Sequence, residues 1–248
     1  MDPDLNTGLA GNEGGLSIII PVFNEERTIE EVLRNVLRRA DVQGWDYELL
    51  VVDDGSTDAT AEIIARLSRE IPIHVISHKM NRGKGAAIRT GLEHASKPLT
   101  IVQDADLEYD PGDISTLLAA IQRCDVDAVL GSRVLGARAG MGKQRRNIYA
   151  IGVLVLNWSV RWLYGIHVTD EATCYKLFRT EDLRRMQLTC ERFEFCPEVI
   201  AKAARMGLRI TEVPISYSPR STSEGKKIRF VDALSAVGTL WRFRKWTP

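Results

Sequence analysis

Histidine and cysteine are both scarce, four of each, and neither is patterned. Cys124, Cys174, Cys190 and Cys196 form no CxxC pair, which leaves a disulfide framework without support. No HExxH or paired cysteine–histidine spacing occurs, so the common zinc sites are excluded. Net charge is missing as well. The 33 basic side chains balance 33 acidic ones, which argues against bulk electrostatic binding to nucleic acid. No apolar run reaches the ~20 residues of a membrane-crossing helix. The nearest, 148–156, stops at Asn157 and then Arg161. Residues 1–15 are polar and glycine-rich with no apolar leader core, and read as a disordered lead-in. A reducing, cytoplasmic location is the default expectation.

What is present is ordinary for a water-facing globular chain: 44% hydrophobic and 27% charged residues over a length of 248. Apolar strands and periodic helices alternate. The run 16–22 reads as a strand covered on both faces, and 28–40 as a helix with Ile29, Val32, Leu33, Val36 and Leu37 on one side. Strands at 47–54, 74–77, 99–106 and 128–134 alternate with helices at 58–70, 84–95 and 112–123. This rhythm predicts an α/β fold, a mostly parallel, doubly wound sheet with helices on both faces. Ligands of such sheets bind beyond the C-terminal ends of the strands. The second half reads as a basic loop (136–146), a helix (147–164), a strand (172–179), a helix (194–206) and a strand (209–216). A polar loop (218–227) and an amphipathic helix from about Phe230 follow. One domain over 16–248 is expected, with a ligand-binding half to 134 and an elaboration from 135.

The strand exits carry the polar motifs. The first strand runs into Pro21-Val22-Phe23-Asn24-Glu25, the second into Asp53-Asp54-Gly55-Ser56-Thr57-Asp58. Carboxylates there suit ribose hydroxyls or a base N–H, and Gly55 lets backbone approach a ligand. Helix capping by Thr57 or Asp58 accounts for part of this pattern. Asn81-Arg82-Gly83-Lys84-Gly85 opens a helix with two glycines and two cations, which suits a phosphate although it is not a Walker A loop. Asp104-Ala105-Asp106, with Glu108 beyond, ends the fourth strand. Aspartates two apart at a strand end can share one hard cation, Mg²⁺ or Mn²⁺.

In this order, IPVFNEE, VVDDGSTDAT, NRGKGAAIRTG and QDADLEYDP resemble the family-2 glycosyltransferases of the Rossmann-like GT-A fold, in particular the dolichyl- and polyprenyl-phosphate mannose or glucose synthases. The resemblance implies a metal-dependent, inverting transfer of a hexose from a GDP- or UDP-sugar to a polyprenyl phosphate. It assigns Pro21, Phe23, Asn24, Glu25, Asp53, Asp54, Gly55, Ser56, Arg82, Gly83 and Lys84 to the nucleotide sugar. Asp104, Ala105 and Asp106 join them, with Asp104, Asp106 and Glu108 toward the metal. Arg133 of the GSR segment, Arg145 or Arg146, Arg220 and Lys226 are implied for the acceptor phosphate, and Asp104, Asp106 and Arg133 for catalysis. Such an acceptor also implies peripheral association with the cytoplasmic face of a membrane. Trp158, Trp162 and the 240–246 tail mix aromatic and basic residues as interfacial helices do. The same fold could act on a saccharide hydroxyl instead, with Asp170 or Glu171 as base. A nucleotidyltransferase would show a GxGTRL-type loop after the first strand, which PVFNEE is not. A catalytically silent scaffold would have no need of DAD and GSR together.

Overall fold

The computed structural model describes residues 14–40, 45–141, 148–220 and 230–248. Its strands are β1 (Gly15–Val22), β2 (Asp46–Asp53), β3 (His74–Ser77), β4 (Leu99–Val102), β5 (Ala128–Ser132), β6 (Lys176–Arg179) and β7 (Ile210–Pro214). They form one sheet in the order β3-β2-β1-β4-β6-β5-β7. The helices are α1 (Ile29–Ala40), α2 (Thr60–Leu67), α3 (Lys84–His94), α4 (Ile114–Arg123), α5 (Arg133–Arg138), α6 (Ile148–Tyr164), α7 (Thr180–Arg185), α8 (Phe195–Arg205) and α9 (Phe230–Phe243).

β1 lies at the centre because both of its faces are apolar. Ile18, Ile19 and Ile20 point to alternate faces and are all buried, each contributing roughly 1.5–3 kcal/mol. It pairs in parallel with β2 on one side and β4 on the other. α1 buries Ile29, Val32, Leu33 and Val36, the helical stripe read from the sequence. The chain turns outward from β1 in one direction and from β4 in the other, so the crevice between them is the topological switch point.

Several boundaries differ from the sequence reading. β4 ends at Val102, four residues early. Gln103 still donates its N–H to Ile19 O at 2.9 Å. The chain then leaves the sheet and turns at Leu107, which has φ 58°. DAD therefore lies on a loop just past the strand. β5 stops at Ser132, whose Oγ accepts from Leu135 N at 3.1 Å and caps α5. The basic loop thus begins with a helical turn at Arg133–Arg138. α2 starts at Thr60, where Asp58 Oδ1 accepts from Thr60 N at 3.0 Å. The 172–179 strand shortens to β6, which runs antiparallel to both β4 and β5. This places a second-half strand inside the sheet and brings its leading segment, 169–175, to the C-terminal edge of the parallel strands. No helix among the described residues is long and apolar enough to cross a membrane.

Candidate active site

The first two strand exits are stitched to each other. Asn24, at φ 51°, donates its N–H to Ser56 Oγ (3.0 Å), and its Oδ1 accepts from Thr57 N (2.8 Å). Asp53 accepts from Ser56 N at 3.0 Å. Gly55 has φ 71°, and a Cβ there would lie 2.6 Å from the Met80 carbonyl carbon, so the 53–56 turn and the 80–83 loop require glycine.

Asp54 is 2% exposed and spends its carboxylate on the protein. It accepts from Asn81 Nδ2 (2.9 Å), Arg82 N (2.9 Å) and Gly83 N (2.7 Å), and lies 2.7 Å from His78 Nδ1. The backbone N–H groups that suited a phosphate in the sequence thus hold an internal anion, which fixes the start of α3. Gly83 is needed for another reason as well: its φ is 99°, and a Cβ would meet Glu191 O at 2.4 Å.

That anchorage aims Lys84 into the crevice. Its Nζ pairs with Asp104 Oδ1 and lies 3.6 Å from Cys174 Sγ. Burial alone would lower the Lys84 pKa, but the Asp104 carboxylate beside it raises it well above the ordinary value. Asp106 faces the other way. It accepts from Arg220 Nη2 at 2.9 Å, and Arg220 also donates to Glu25 Oε2 (3.1 Å) and Oε1 (3.3 Å). Glu108 accepts from Arg220 N (2.8 Å) and Tyr217 Oη (2.6 Å). Burial, with Asp104 and Glu108 alongside, pushes the Asp106 carboxyl up to about 6. Four acids and two cations meet here, and every candidate metal donor is a carboxylate oxygen.

The second half supplies the opposite wall. Arg133 grips Asp170 in a bidentate pair, Nε and Nη2 each donating at 2.7 Å, while Arg133 N donates to the same carboxylate at 2.9 Å. The guanidinium also lies 5.0 Å from the Tyr217 ring centre. Tyr217 meets Tyr109 at 5.3 Å edge-on. Tyr109 Oη accepts from Cys174 N at 3.1 Å.

These groups enclose a cavity of about 480 Å³. Of the residues singled out in the sequence, Pro21, Phe23, Glu25, Asp54, Gly83 and Lys84 line it on the first-half side. Asp104, Ala105, Asp106, Glu108, Arg133, Arg220 and Glu171 complete it. Asn24, Asp53, Gly55, Ser56 and Arg82 stand outside its wall, the first four in the turn network just described. Arg145, Arg146 and Lys226 lie outside the described residues. The sequence reading passed over Tyr109, Cys174 and Tyr217. Each sits just past a parallel strand's end or just before β6, so the strand-end rule would have found Tyr109 and Tyr217 had aromatics been scored with the acids. Cys174 depended on the antiparallel β6.

Residues 17–186 match the family model of Glycosyl transferase family 2. The chain belongs to that family. Among curated members it is 30% identical over 213 residues to the undecaprenyl-phosphate 4-deoxy-4-formamido-L-arabinose transferases of Salmonella paratyphi B and Salmonella newport. The match covers 85% of this chain and 62% of each relative, so the chain spans less than two thirds of their length. The fold resembles glucosyl-3-phosphoglycerate synthase from Mycobacterium tuberculosis, solved with Mn²⁺, UDP and phosphoglyceric acid. The TM-score is 0.71 at 22% identity, over 97% of this chain and 82% of that one. A second structure of that enzyme, with Mg²⁺ and UDP, gives 0.67 at 22% identity, over 97% and 83%. The sheet is thus the GT-A fold that the resemblance of the sequence motifs implies.

Proposed function

We propose that this family-2 chain transfers a hexose from a GDP- or UDP-sugar to a polyprenyl phosphate with inversion, as one catalytic unit over 16–248. The observation that carries the reading is the acid–base row across the switch point: Asp104 on Lys84, Asp106 and Glu25 on Arg220, and Arg133 facing them across the cavity. The curated relatives' names, which include undecaprenyl phosphate, support the lipid side.

Mg²⁺ or Mn²⁺ fits Asp104 and Asp106, with Glu108 within the same cluster. The donors are all oxygen, as a hard divalent ion prefers, and Asp106 already faces positive charge from the Arg220 guanidinium at 2.9 Å. No three His, Cys, Asp or Glu side chains among the described residues form a ready-made cage. A hard ion held by two carboxylates would complete its shell with substrate phosphate and water. Bound there, the ion supplies charge neutralisation for the departing nucleoside diphosphate. Lys84 and Arg220 add fixed positive charge on either side of the same leaving group. Arg133 is held so that one edge binds Asp170 and the rest faces the cavity, where it orients an incoming phosphate.

A phosphate monoester with a second pKa of about 6 is ionised at neutral pH and needs no base. Asp170 is committed to Arg133, which counts against it as the base that a hydroxyl acceptor would need. Membrane contact belongs to the same proposal. Trp158 and Trp162, exposed on α6, stack at 6.1 Å, and Trp162 stacks on Trp241 of α9 at 6.3 Å. Arg161, Arg242 and Lys245 are exposed around this ladder. Such aromatic and basic surfaces lie in the interface of a bilayer, here its cytoplasmic face.

The test is donor turnover by Asp104→Ala/Asp106→Ala and by the native protein with excess chelator. Both should fall at least about a thousandfold. Native-rate turnover in either condition refutes the reading.

A further inference from the structure

The segment leading into β6 carries two adjacent acids with opposite fates. Asp170 takes three hydrogen bonds from Arg133. Glu171 is fully buried, and its backbone is well held: its N–H donates to Asn157 Oδ1 at 2.9 Å, and its carbonyl accepts from Lys176 Nζ at 2.7 Å. Yet neither carboxyl oxygen has a hydrogen-bond partner among the described residues. Thr173 Oγ1, two residues on, is orphaned in the same way. Folded proteins keep few such groups, and a burial of this kind is costly unless something else satisfies it. Glu171 lines the cavity beside Ala172, Cys174 and Cys196, so a bound molecule can satisfy the carboxyl once the side chain turns toward it.

The sheet order says which part of the molecule arrives there. Across the strand ends run β2, β1, β4 and then β6. Because β6 is antiparallel to β4, its leading segment sits at the same edge as the exits of the parallel strands. A nucleoside at the β1 and β2 exits, with its diphosphate at Asp104 and Asp106, leaves the next group along, the glycosyl unit, at 171–174. Lys84 bridges the two places, pairing with Asp104 while lying 3.6 Å from Cys174 Sγ.

We propose that Glu171 is a specificity-determining residue that hydrogen-bonds a hydroxyl of the donor's glycosyl unit. This rests on the nucleotide-sugar reading above. Burial pushes the carboxyl up to about 7, so near neutral pH it offers an O–H donor and a carbonyl acceptor together. A sugar hydroxyl gives and takes a hydrogen bond in the same way. An acceptor phosphate does not match such a group.

The experiment uses the full chain with Mn²⁺, and calorimetric titration with UDP, UDP-glucose, GDP and GDP-mannose. Glu171→Met and Glu171→Gln are compared with the native protein. Glu171→Met should bind the free nucleoside diphosphate unchanged while the sugar-to-diphosphate Kd ratio rises at least about tenfold. Glu171→Gln, which keeps a donor and an acceptor, should fall between. Removing an orphaned carboxyl should also raise the melting temperature of unliganded Glu171→Met by about 2–4 °C. An unchanged Kd ratio overturns the inference, including the case where turnover alone is lost, which would make Glu171 a base. A lowered melting temperature with loss of diphosphate binding in both variants overturns it in favour of a structural role. A native protein that binds none of the four nucleotides sinks the nucleotide-sugar reading itself, a result distinct from the others.

Discussion

Replacing Asp170 by Asn separates the two roles open to that acid. Its carboxylate takes Arg133 Nε and Nη2 at 2.7 Å and Arg133 N at 2.9 Å, with the two side chains 1% and 19% exposed. Breaking a buried pair by removing one charge costs about 3–5 kcal/mol, because the remaining cation is uncompensated. Asparagine keeps one acceptor oxygen, so a loss of about 3 kcal/mol is expected. At roughly 2–4 °C per kcal/mol for a chain of this size, the melting temperature should drop by about 6–12 °C. The freed guanidinium should raise the KM for the lipid phosphate at least about tenfold while kcat changes less. Calorimetric melting and steady-state kinetics on a detergent-dispersed polyprenyl phosphate read both effects. A general base would behave differently in the kinetics, with kcat falling about 10²–10⁴-fold and the acceptor KM little changed. An unchanged melting temperature together with an unchanged acceptor KM would refute the positioning role.

Two further perturbations follow from the geometry. Glu171 rises from its ordinary 4.5 to about 7 through burial, against the pull of Lys176 and Arg133 and with Asp170 adding to it. The native state therefore holds a proton that the unfolded chain has lost. The stabilisation is complete below pH 4.5 and disappears as pH rises to about 7, a change of about 3 kcal/mol. Asp106, pushed up to about 6, adds a slope of the same sign, so urea unfolding between those pH values should show a shallower slope in Glu171→Gln than in the native protein; equal slopes would contradict it. Trp158→Ala/Trp162→Ala/Trp241→Ala should weaken binding to anionic vesicles at least about 100-fold, since partial burial of each ring gives about 1 kcal/mol or more. Vesicle sedimentation measures it, and unchanged partitioning would remove these rings from the membrane contact.

β1, β2, β4 and β5 were legible because strands covered on both faces read as apolar runs, and the polar residues that matter follow each run; β3, at the sheet edge, is largely exposed and was legible only as the short segment between two helices. α5 and α7 were not, since six residues are too few to display a helical period. The direction of β6 is a matter of pairing with β4 and β5, which four residues of sequence do not specify. Asp54 reads in the sequence as ligand contact at a strand exit, and it does line the cavity. Its second role, holding the loop that aims Lys84, depends on partners 24 to 29 positions away and has no local sequence signal. A still longer separation in sequence hid Tyr217 on Glu108, 109 residues apart. The acids were visible; their division of labour was not.

Transfer to a lipid phosphate is the claim on which the account stands. Incubation with tritiated UDP-glucose or GDP-mannose, Mn²⁺ and undecaprenyl or dolichyl phosphate tests it, the product being followed into the organic phase. Label should enter the lipid fraction only when the phosphorylated lipid is present, and none should appear on free glucose or phosphoglycerate. Label on a sugar or acid hydroxyl, with the lipid fraction blank, would contradict it.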